Sequence, residues 1–331
     1  MAIRWDGSGS WSMAHKPLIV FPERYRAQLS AMLPEGVEVR GFSTLEECLA
    51  LAPEAEIGWF DDWASGAYVK GPRAATSARW INTVTVGLDA FPVKEIRERG
   101  QIFTNGNGLM PDVIADYAVL GVLTLAKRLD EVVRAHDRKA WIRSGPPGSF
   151  ELLGAKALII GYGAIGREIG TRLRAFGVDV TGVRRSADSG DPTVIGPDDW
   201  RARLGEFDIV ILAAPSTDET RAMIGAAELA TMKADARLIN IARGELVDQP
   251  ALIDALRSGG IGSAFLDVTT PEPLPPEDPL WDAPNLLVTM HLSGQSQTSA
   301  FRRGAQRFLK NLRHYLAGEP LEHVVDLSRG Y

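Results

Sequence analysis

The sequence contains too little cysteine and histidine for a disulfide framework or a structural metal site. Only one of its 331 residues, Cys48, is a cysteine, and five are histidines. A single cysteine excludes a disulfide within the chain, and no Cys/His cluster has the spacing of a zinc site. We therefore expect a fold that depends on its hydrophobic core and binds no metal.

Basic stretches and long apolar runs are missing as well. The formal net charge is -6, and without a block of Lys and Arg the chain offers no positive field to nucleic acid. Apolar runs stay below the roughly 18 residues of a membrane-spanning helix, and the N-terminus lacks the charged-then-apolar pattern of a signal peptide. We expect a cytoplasmic protein without nucleic-acid or membrane partners.

What the sequence does contain is an alternation of short apolar segments with amphipathic ones, which predicts parallel sheets covered by helices. The chain of 331 residues is 45% hydrophobic and 24% charged, as expected for two ordinary globular domains. The predicted strands are 18–21, 37–42, 56–60, 80–86, 101–105, 156–160, 178–183, 208–212, 236–241, 261–268 and 286–290.

Two long helical patterns set the predicted domain boundaries. Residues 112–137 read as one amphipathic helix that links two domains, and residues 295–316 read as a last helix that crosses back to the first domain. The predicted α/β fold is a Rossmann dinucleotide-binding domain at 112–292 inserted into a flavodoxin-like substrate domain made of 1–111 and 293–331. Both domains are doubly wound parallel sheets.

The strongest motif is a G-x-G-x-x-G pattern at 161–166, directly after an apolar strand and at the start of a helix. In this context the first glycine permits a tight turn, the second lets a pyrophosphate approach, and the third lets the helix pack on the strand. An ordinary glycine-rich turn is the alternative, but the strand before and the helix after favour a dinucleotide site. The predicted contacts are Gly161, Gly163, Ala164, Ile165 and Gly166.

The second strand of that domain ends in Arg184, Arg185 and Ser186. In NAD-specific domains an Asp or Glu about 20 residues past the glycines accepts hydrogen bonds from the ribose hydroxyls. That carboxylate is missing here, whereas two guanidinium groups and a hydroxyl are suited to a 2′-phosphate. We predict NADP(H) rather than NAD(H) as the cofactor; the alternative is that both arginines are solvated loop charges.

Three polar residues, Arg243, Glu272 and His291, follow successive strands of the same predicted sheet. Ligands of open parallel sheets bind beyond the carboxyl ends of the strands. An arginine can bind a carboxylate through two hydrogen bonds, and a histidine beside a carboxylate is a natural proton donor near neutral pH. Each residue alone would be an ordinary loop charge or a structural histidine, but together they predict an active site.

The chain resembles the D-isomer-specific 2-hydroxyacid dehydrogenases, which include glyoxylate/hydroxypyruvate reductases and phosphoglycerate dehydrogenases. The resemblance extends from about residue 16 to 326. It is carried by VGLDAFP at 86–92, PDVIADYA at 111–118, GYGAIGRE at 161–168, APSTDETR at 214–221, INIARGELVD at 239–248, LDVTTPEPLP at 266–275 and DPLWDAPNLLVTMH at 278–291.

The resemblance implies a role for each matching residue. Arg243 would bind the substrate carboxylate and carbonyl, His291 would be the general acid/base with Glu272 as its partner, and the backbone of Val86 and Gly87 would bind the substrate carboxylate. Asp267 would hold the nicotinamide carboxamide, with a strand-end cap as its alternative role. The implied cofactor contacts in this part of the chain are Ala214, Pro215, Thr220, Ile241, Ala242, Arg243, Asp267 and His291.

The sequence departs from the family pattern at two positions and is unusual at a third. Met290 replaces the proline common before the catalytic histidine, and Asp116 stands where a glutamate is more common. The segment that helps to shape the acyl pocket in the family reads WFDDW here. Trp59 and Phe60 therefore line an apolar substrate pocket or, alternatively, belong to the core.

These features predict a homodimeric reductase that transfers hydride from NADPH to a 2-oxo acid and forms the D-2-hydroxy acid. The predicted substrate is glyoxylate, hydroxypyruvate or a larger apolar 2-oxo acid. One alternative is a non-catalytic protein that senses the nicotinamide cofactor, since fold alone does not fix function. Another is a formate or phosphite dehydrogenase, although the Glu272 carboxylate argues against formate, for which the family has an amide.

Overall fold

The computed structural model describes residues 4–5, 11–12, 16–185, 191–295 and 300–328. Its strands are β1 (Arg4–Trp5), β2 (Trp11–Ser12), β3 (Leu18–Pro22), β4 (Glu38–Phe42), β5 (Ile57–Trp59), β6 (Trp80–Asn82), β7 (Ile102–Thr104), β8 (Lys156–Ile160), β9 (Asp179–Val183), β10 (Val194–Ile195), β11 (Ile209–Leu212), β12 (Arg237–Asn240), β13 (Ser263–Leu266) and β14 (Leu286–Val288). The α-helices are α1 (Arg26–Leu29), α2 (Leu45–Leu51), α3 (Ala67–Ala74), α4 (Val93–Glu98), α5 (Pro111–Lys127), α6 (Leu129–Asp137), α7 (Ala164–Ala175), α8 (Ala226–Thr231), α9 (Gln249–Ser258) and α10 (Ala300–Ala317).

The chain divides into two compact units. Unit 1 consists of Met1–Leu109 and Ser296–Tyr331, and unit 2 consists of Met110–Gln295. The last helix, α10, therefore belongs to unit 1, and unit 2 is inserted between the two segments of unit 1. A separate two-stranded antiparallel sheet pairs β1 with β2 near the N-terminus.

Unit 1 contains a five-stranded sheet in the order β4-β3-β5-β6-β7, and every neighbouring pair is parallel. This is the flavodoxin-like order, in which the chain direction across the sheet reverses between β3 and β5. Large aromatic side chains fill one face, where Trp59 and Trp80 each lie 5.0 Å from Phe308 of α10, measured between ring centroids. The aromatic core thus attaches the C-terminal helix to the sheet.

Unit 2 contains a seven-stranded parallel sheet in the order β10-β9-β8-β11-β12-β13-β14. Counted within the unit, this is the order 3-2-1-4-5-6 of a dinucleotide-binding fold, extended by a seventh strand. The glycine motif follows β8, which lies at the point where the strand order reverses. The two doubly wound parallel sheets predicted from the sequence are confirmed.

Two details of unit 2 differ from the sequence prediction. The third strand of the unit, Val194–Ile195, was not predicted, because two residues are too short for a period-2 pattern. The prediction of one long helix at 112–137 is wrong, because the segment forms two helices, α5 and α6. They meet at Arg128, whose backbone is left-handed with φ 49°. The Arg128 guanidinium donates to Asn285 Oδ1 at 3.0 Å and to the Pro147 carbonyl at 3.3 Å, contacts that hold it at this break.

Membrane-spanning helices and metal-binding clusters are both absent from the part of the chain that the structure describes. None of its helices is both long and apolar enough to cross a membrane. Within the same residues, no group of three or more His, Cys, Asp and Glu side chains is placed to hold a metal ion. Cys48 is buried in unit 1, and burial raises the pKa of its thiol to about 12, so it is unreactive near neutral pH.

Candidate active site

The three glycines of the motif occupy three different environments. Gly161 has φ 97°, and a Cβ there would lie 2.4 Å from the Ala214 nitrogen. A Cβ on Gly166 would lie 2.5 Å from the Gly161 carbonyl oxygen. Only glycine fits both positions, because the turn is left-handed at the first and the helix meets the strand end at the second.

The middle glycine borders open space. A Cβ on Gly163 would meet no atom of the described chain within 4 Å, and this residue is the N-cap of the 12-residue helix α7. Without a side chain at the cap, the N–H groups of the first helical turn, which begins with Ala164 and Ile165, are available to an anion. This combination of open space and helix N-terminus fits the pyrophosphate of a dinucleotide.

Two arginines follow β9, the strand next to the glycine turn. Arg184 and Arg185 are both exposed, and the Arg184 backbone N–H donates to the carbonyl of Ile195 in β10 at 3.1 Å. Arg185 makes further contacts of its own. The third residue of the predicted phosphate site, Ser186, lies outside the described residues. The end of β9 is thus positively charged at Arg184 and Arg185.

The loop after β11 lies against the glycine turn. Ala214 is buried beside Gly161, and Pro215 is exposed. The Thr220 hydroxyl donates to the Pro215 carbonyl at 2.7 Å and accepts the Thr217 N–H at 2.8 Å. Both bonds lie within the loop at 215–220, so the Thr220 hydroxyl stabilises the conformation of this loop.

His291 and Glu272 form a direct pair. His291 Nδ1 lies 2.7 Å from Glu272 Oε2, and the other carboxylate oxygen accepts the Thr269 N–H at 3.0 Å. The hydrogen bond to Glu272 raises the pKa of His291 above its usual value, although burial opposes this. Burial would raise the pKa of Glu272, but the bonds from His291 and Thr269 lower it overall. The pair therefore favours a charged imidazolium beside a carboxylate.

Arg243 lies close enough to influence both members of this pair. Its charge contributes to the lowered pKa of Glu272 and opposes the raised pKa of His291. Arg243 directly follows β12 through Ile241 and Ala242, which are buried, and its Nη1 donates to the Ala242 carbonyl at 2.6 Å. The structure thus brings Arg243, Glu272 and His291 together at one edge of the sheet.

Asn240 is a positioning residue that the sequence analysis missed. It is fully buried at the end of β12, where its Nδ2 donates to the Arg243 carbonyl at 2.8 Å and its Oδ1 accepts the Ala242 N–H at 3.0 Å. These bonds fix the backbone that carries Arg243. The signal in the sequence was a polar residue between the apolar residues at 238–239 and 241–242.

Asp267 holds the backbone on both sides of His291. Its carboxylate accepts the Leu292 N–H at 2.8 Å and the Ser293 N–H at 2.9 Å, and its carbonyl accepts the His291 N–H at 2.5 Å. Met290 and His291 have φ 56° and 58°, so these bonds stabilise two consecutive left-handed residues. The cap function is what the structure shows for Asp267, and its contact with the cofactor carboxamide stays a prediction.

The predicted substrate residues of unit 1 fall into two groups. Val86 and Gly87 are half-buried in the loop after β6, and the Val86 carbonyl accepts Asn105 Nδ2 at 3.1 Å. Trp59 and Phe60 have 0% and 1% of their surface exposed and belong to the core of unit 1. Their assignment to a substrate pocket is wrong, because Trp59 packs on Phe308 while Phe60 lies against glycines of the same unit.

Comparison with known proteins places this geometry in a family. The family "D-isomer specific 2-hydroxyacid dehydrogenase, NAD binding domain" matches residues 119–293. The chain is 33% identical over 270 residues to a glyoxylate reductase of Korarchaeum cryptofilum, covering 76% of this chain and 77% of that protein. It is 30% identical over 326 residues to a glyoxylate/hydroxypyruvate reductase B of Pectobacterium carotovorum, covering 94% and 98%.

A solved structure also matches nearly the whole chain. The crystal structure of a D-isomer specific 2-hydroxyacid dehydrogenase family protein from Aeromonas salmonicida superposes with a TM-score of 0.84 at 27% identity, covering 95% of this chain and 100% of that one. The motifs at the strand ends, the order of both sheets and these relatives agree. The chain belongs to the D-isomer specific 2-hydroxyacid dehydrogenase family.

Proposed function

We propose that the protein reduces a 2-oxo acid to the D-2-hydroxy acid with NADPH, and that His291 supplies the proton. The observation that carries this proposal is the 2.7 Å pair between His291 Nδ1 and Glu272 Oε2 beside Arg243. The pair lies in unit 2, where the open glycine turn fits a dinucleotide. When bound, the nicotinamide supplies the hydride.

The orientation of His291 supports its role as the acid. With Nδ1–H donated to Glu272, the other ring nitrogen, Nε2, is the one that can give a proton to the substrate carbonyl oxygen. The side chain is 47% exposed, so a ligand can reach it. Glu272 keeps the ring in this orientation and stabilises the imidazolium until the proton is transferred.

Substrate binding is assigned to two groups of donors. The Arg243 guanidinium can bind the carboxylate of the 2-oxo acid and polarise the neighbouring carbonyl. The loop at Val86 and Gly87 in unit 1 contributes backbone N–H groups for a carboxylate, as the family resemblance implies. Both assignments are parts of the same proposal.

We propose glyoxylate and hydroxypyruvate as the substrates. The names of the two relatives support this choice, and so does the burial of Trp59 and Phe60. With these aromatic side chains in the core of unit 1, the reason to expect a larger apolar or aromatic substrate disappears.

The choice of NADPH rests on the end of β9. Arg184 and Arg185 are exposed there, and guanidinium groups bind a phosphate through charge-assisted hydrogen bonds. A carboxylate at this position would repel the 2′-phosphate and select NAD instead. The two arginines therefore favour NADPH over NADH.

Two alternative functions remain as outcomes of the test. A non-catalytic sensor of the cofactor has no need for a proton donor held by a carboxylate beside an arginine. A formate or phosphite dehydrogenase would oxidise its substrate with NAD(P) and would not reduce oxo acids. The carboxylate of Glu272 also argues against formate oxidation, for which the family has an amide beside the histidine.

One experiment separates these functions. Glyoxylate, hydroxypyruvate, pyruvate and phenylpyruvate are each tested with NADPH and with NADH, and formate and phosphite are each tested with NADP and with NAD. The proposal expects the highest kcat/KM for glyoxylate or hydroxypyruvate with NADPH. Absence of turnover with every oxo acid would overturn it, and oxidation of formate or phosphite would replace it.

A further inference from the structure

The mechanism does not use the buried carboxylate of Asp61, which lies two residues after β5 in unit 1. Only 1% of Asp61 is exposed, yet both of its oxygens accept hydrogen bonds. Oδ2 accepts Trp59 Nε1 and the Val84 N–H, each at 2.7 Å, and Oδ1 accepts the Thr83 hydroxyl at 2.7 Å. An unpaired charge would be costly in the core, so these three donors stabilise the buried carboxylate. We call Asp61 a connector because the same bonds join Trp59, Thr83 and Val84 to it.

The same residue also receives bonds on its backbone from a third segment. The Asp61 carbonyl accepts Arg24 Nη2 at 2.5 Å and the Tyr25 hydroxyl at 3.0 Å. Arg24 and Tyr25 follow β3, so Asp61 connects the segments after β3, β5 and β6. All three leave the sheet at its carboxyl ends, where ligands of open parallel sheets bind. The strand order reverses between β3 and β5, the strand that Asp61 follows.

The segment after β6 continues directly into the predicted carboxylate-binding turn. Thr83 and Val84 are bound by Asp61, and the Thr83 hydroxyl then accepts the Thr85 N–H at 3.1 Å. Val86 and Gly87 follow without a break. The path from the buried carboxylate to the turn is thus two hydrogen-bonded steps long.

We propose that Asp61 is a positioning residue for substrate binding, which holds the loop at 83–87 in the conformation that binds the substrate carboxylate. This inference rests on the proposed function. The loop contacts the 2-oxo acid equally in the ground state and in the transition state, so misplacing it raises KM for the oxo acid and leaves kcat nearly unchanged. Cofactor binding belongs to unit 2 and is unaffected.

Variants at the hydroxyl of Thr83 test this inference with little change in volume. Thr83→Val removes both hydrogen-bonded steps of this path, the bond to Asp61 and the bond from the Thr85 N–H, whereas Thr83→Ser keeps the hydroxyl. Thr83→Val is expected to raise KM for the oxo acid by about five- to tenfold, with kcat and the Kd for NADPH unchanged. Thr83→Ser should stay within about twofold of the wild type, since the bond is kept.

Asp61 itself gives a second pair of variants. Asp61→Leu removes all three bonds and should raise KM further than Thr83→Val. Asp61→Asn can keep them, with its amide oxygen accepting from Trp59 and Val84 and its amide nitrogen donating to Thr83 Oγ1. Burial raises the pKa of Asp61, which makes a neutral side chain an acceptable replacement. Asp61→Asn should therefore restore a KM close to that of the wild type.

The matched control is Gln101, a buried residue at the opposite end of the same sheet. Its Nε2 donates to the carbonyls of Ala75 and Ala78 at 2.7 and 2.8 Å. Gln101→Met removes these two buried bonds and should lower Tm without a change in KM. If Asp61→Leu does not fold, the comparison of KM between Thr83→Val and Thr83→Ser still tests the inference.

The outcomes distinguish the inference from the proposed function. If the wild type reduces an oxo acid but Thr83→Val leaves KM unchanged, the positioning role of Asp61 is overturned while the proposed function stands. That role is also overturned if Gln101→Met raises KM as much as Thr83→Val does, because general destabilisation would then explain both. If the wild type reduces no oxo acid, the proposed function fails before the variants are measured.

Discussion

His291 has a matched comparison within the same chain, because His314 also donates through Nδ1, to the Pro320 carbonyl, but has no catalytic assignment. His291→Ala should lower kcat by about two to four orders of magnitude, the usual contribution of a general acid/base. His314→Ala should keep the wild-type rate, and both variants should bind NADPH normally by fluorescence titration. Near-normal turnover by His291→Ala would remove this residue from the mechanism.

The pH dependence of reduction follows from the His291–Glu272 pair. Reduction needs the protonated imidazole, so kcat should be constant at low pH and fall as the pH rises through the pKa of His291. Because the bond to Glu272 raises that pKa, the fall should lie above the ordinary range of a histidine. Glu272→Gln removes the charge and should move the fall to lower pH.

The control for this profile is Glu319→Gln, which changes a carboxylate 3.9 Å from His314. Its pH–rate profile should match that of the wild type. An unchanged profile with full activity in Glu272→Gln would assign Glu272 a purely structural role.

Side-chain environment was the least predictable feature at the scale of single residues. Arg243, Glu272 and His291 were found from the sequence because strand ends in a parallel sheet converge. Whether Trp59 and Phe60 face a ligand or the core was not predictable, since Trp59 packs on Phe308 of α10, far along the chain, and Phe60 packs against glycines of the same unit. The role of Asp61 within WFDDW was not predictable either, because its donors come from three segments.

At the scale of elements, the turn from β8 into α7 allows its three glycines to be tested separately. Gly161→Ala should lower the free energy of unfolding by at least about 2 kcal/mol, because its φ is 97° and a Cβ would meet the backbone near Ala214. Gly163→Ala should keep the wild-type Tm, since its Cβ enters open space. That space is assigned to the pyrophosphate, so Gly163→Ala should raise the Kd for NADPH by about tenfold, or about 1.4 kcal/mol.

Denaturant unfolding and fluorescence titration measure the two effects independently. A stable Gly163→Ala variant with unchanged cofactor affinity would contradict the position assigned to the pyrophosphate. A normal stability of Gly161→Ala would contradict the left-handed turn.

The end of β9 yields a prediction about cofactor choice. Arg184→Asp combined with Arg185→Ala removes the positive charge at this strand end and introduces the carboxylate of NAD-specific domains. The ratio of kcat/KM for NADPH to that for NADH should fall by about tenfold or more, since two charge-assisted bonds are lost. Arg203→Asp, which changes a half-buried arginine paired with Glu206, should leave the ratio unchanged.

Strand prediction succeeded where runs of Val, Ile and Leu are buried on both faces, as in β8 and β11. It failed for β10, whose two residues carry too little pattern to recognise. The break between α5 and α6 was not predictable from the sequence either, because arginine is a good helix former. Its contacts with Asn285 and Pro147, which are distant in sequence, help to hold Arg128 at this break.

At the scale of the whole molecule, the exposed apolar surface of unit 2 supports a homodimer. Trp141 is 90% exposed, and Leu120 and Val133 are 47% and 49% exposed on the helices that precede it. We propose that a second copy of the chain covers this surface, since most soluble oligomers are symmetric dimers. Light scattering should give twice 35.9 kDa, or about 72 kDa, at micromolar concentration.

A surface substitution tests which part of the molecule forms the dimer. Trp141→Ser should increase the fraction of monomer, whereas Phe176→Ser, at another exposed aromatic of unit 2, should not. A wild type that is monomeric under these conditions would rule out the dimer. Equal dissociation by both variants would rule out this location.

Hydride transfer to a 2-oxo acid with a fixed stereochemistry can be measured directly with hydroxypyruvate, because its reduction creates a chiral centre. The measurement is chiral chromatography of the glycerate formed by the wild type with NADPH, together with the amount of NADPH consumed. We predict D-glycerate alone, in equal amount to the NADPH oxidised. L-glycerate, a racemic product or NADPH oxidation without glycerate would contradict it.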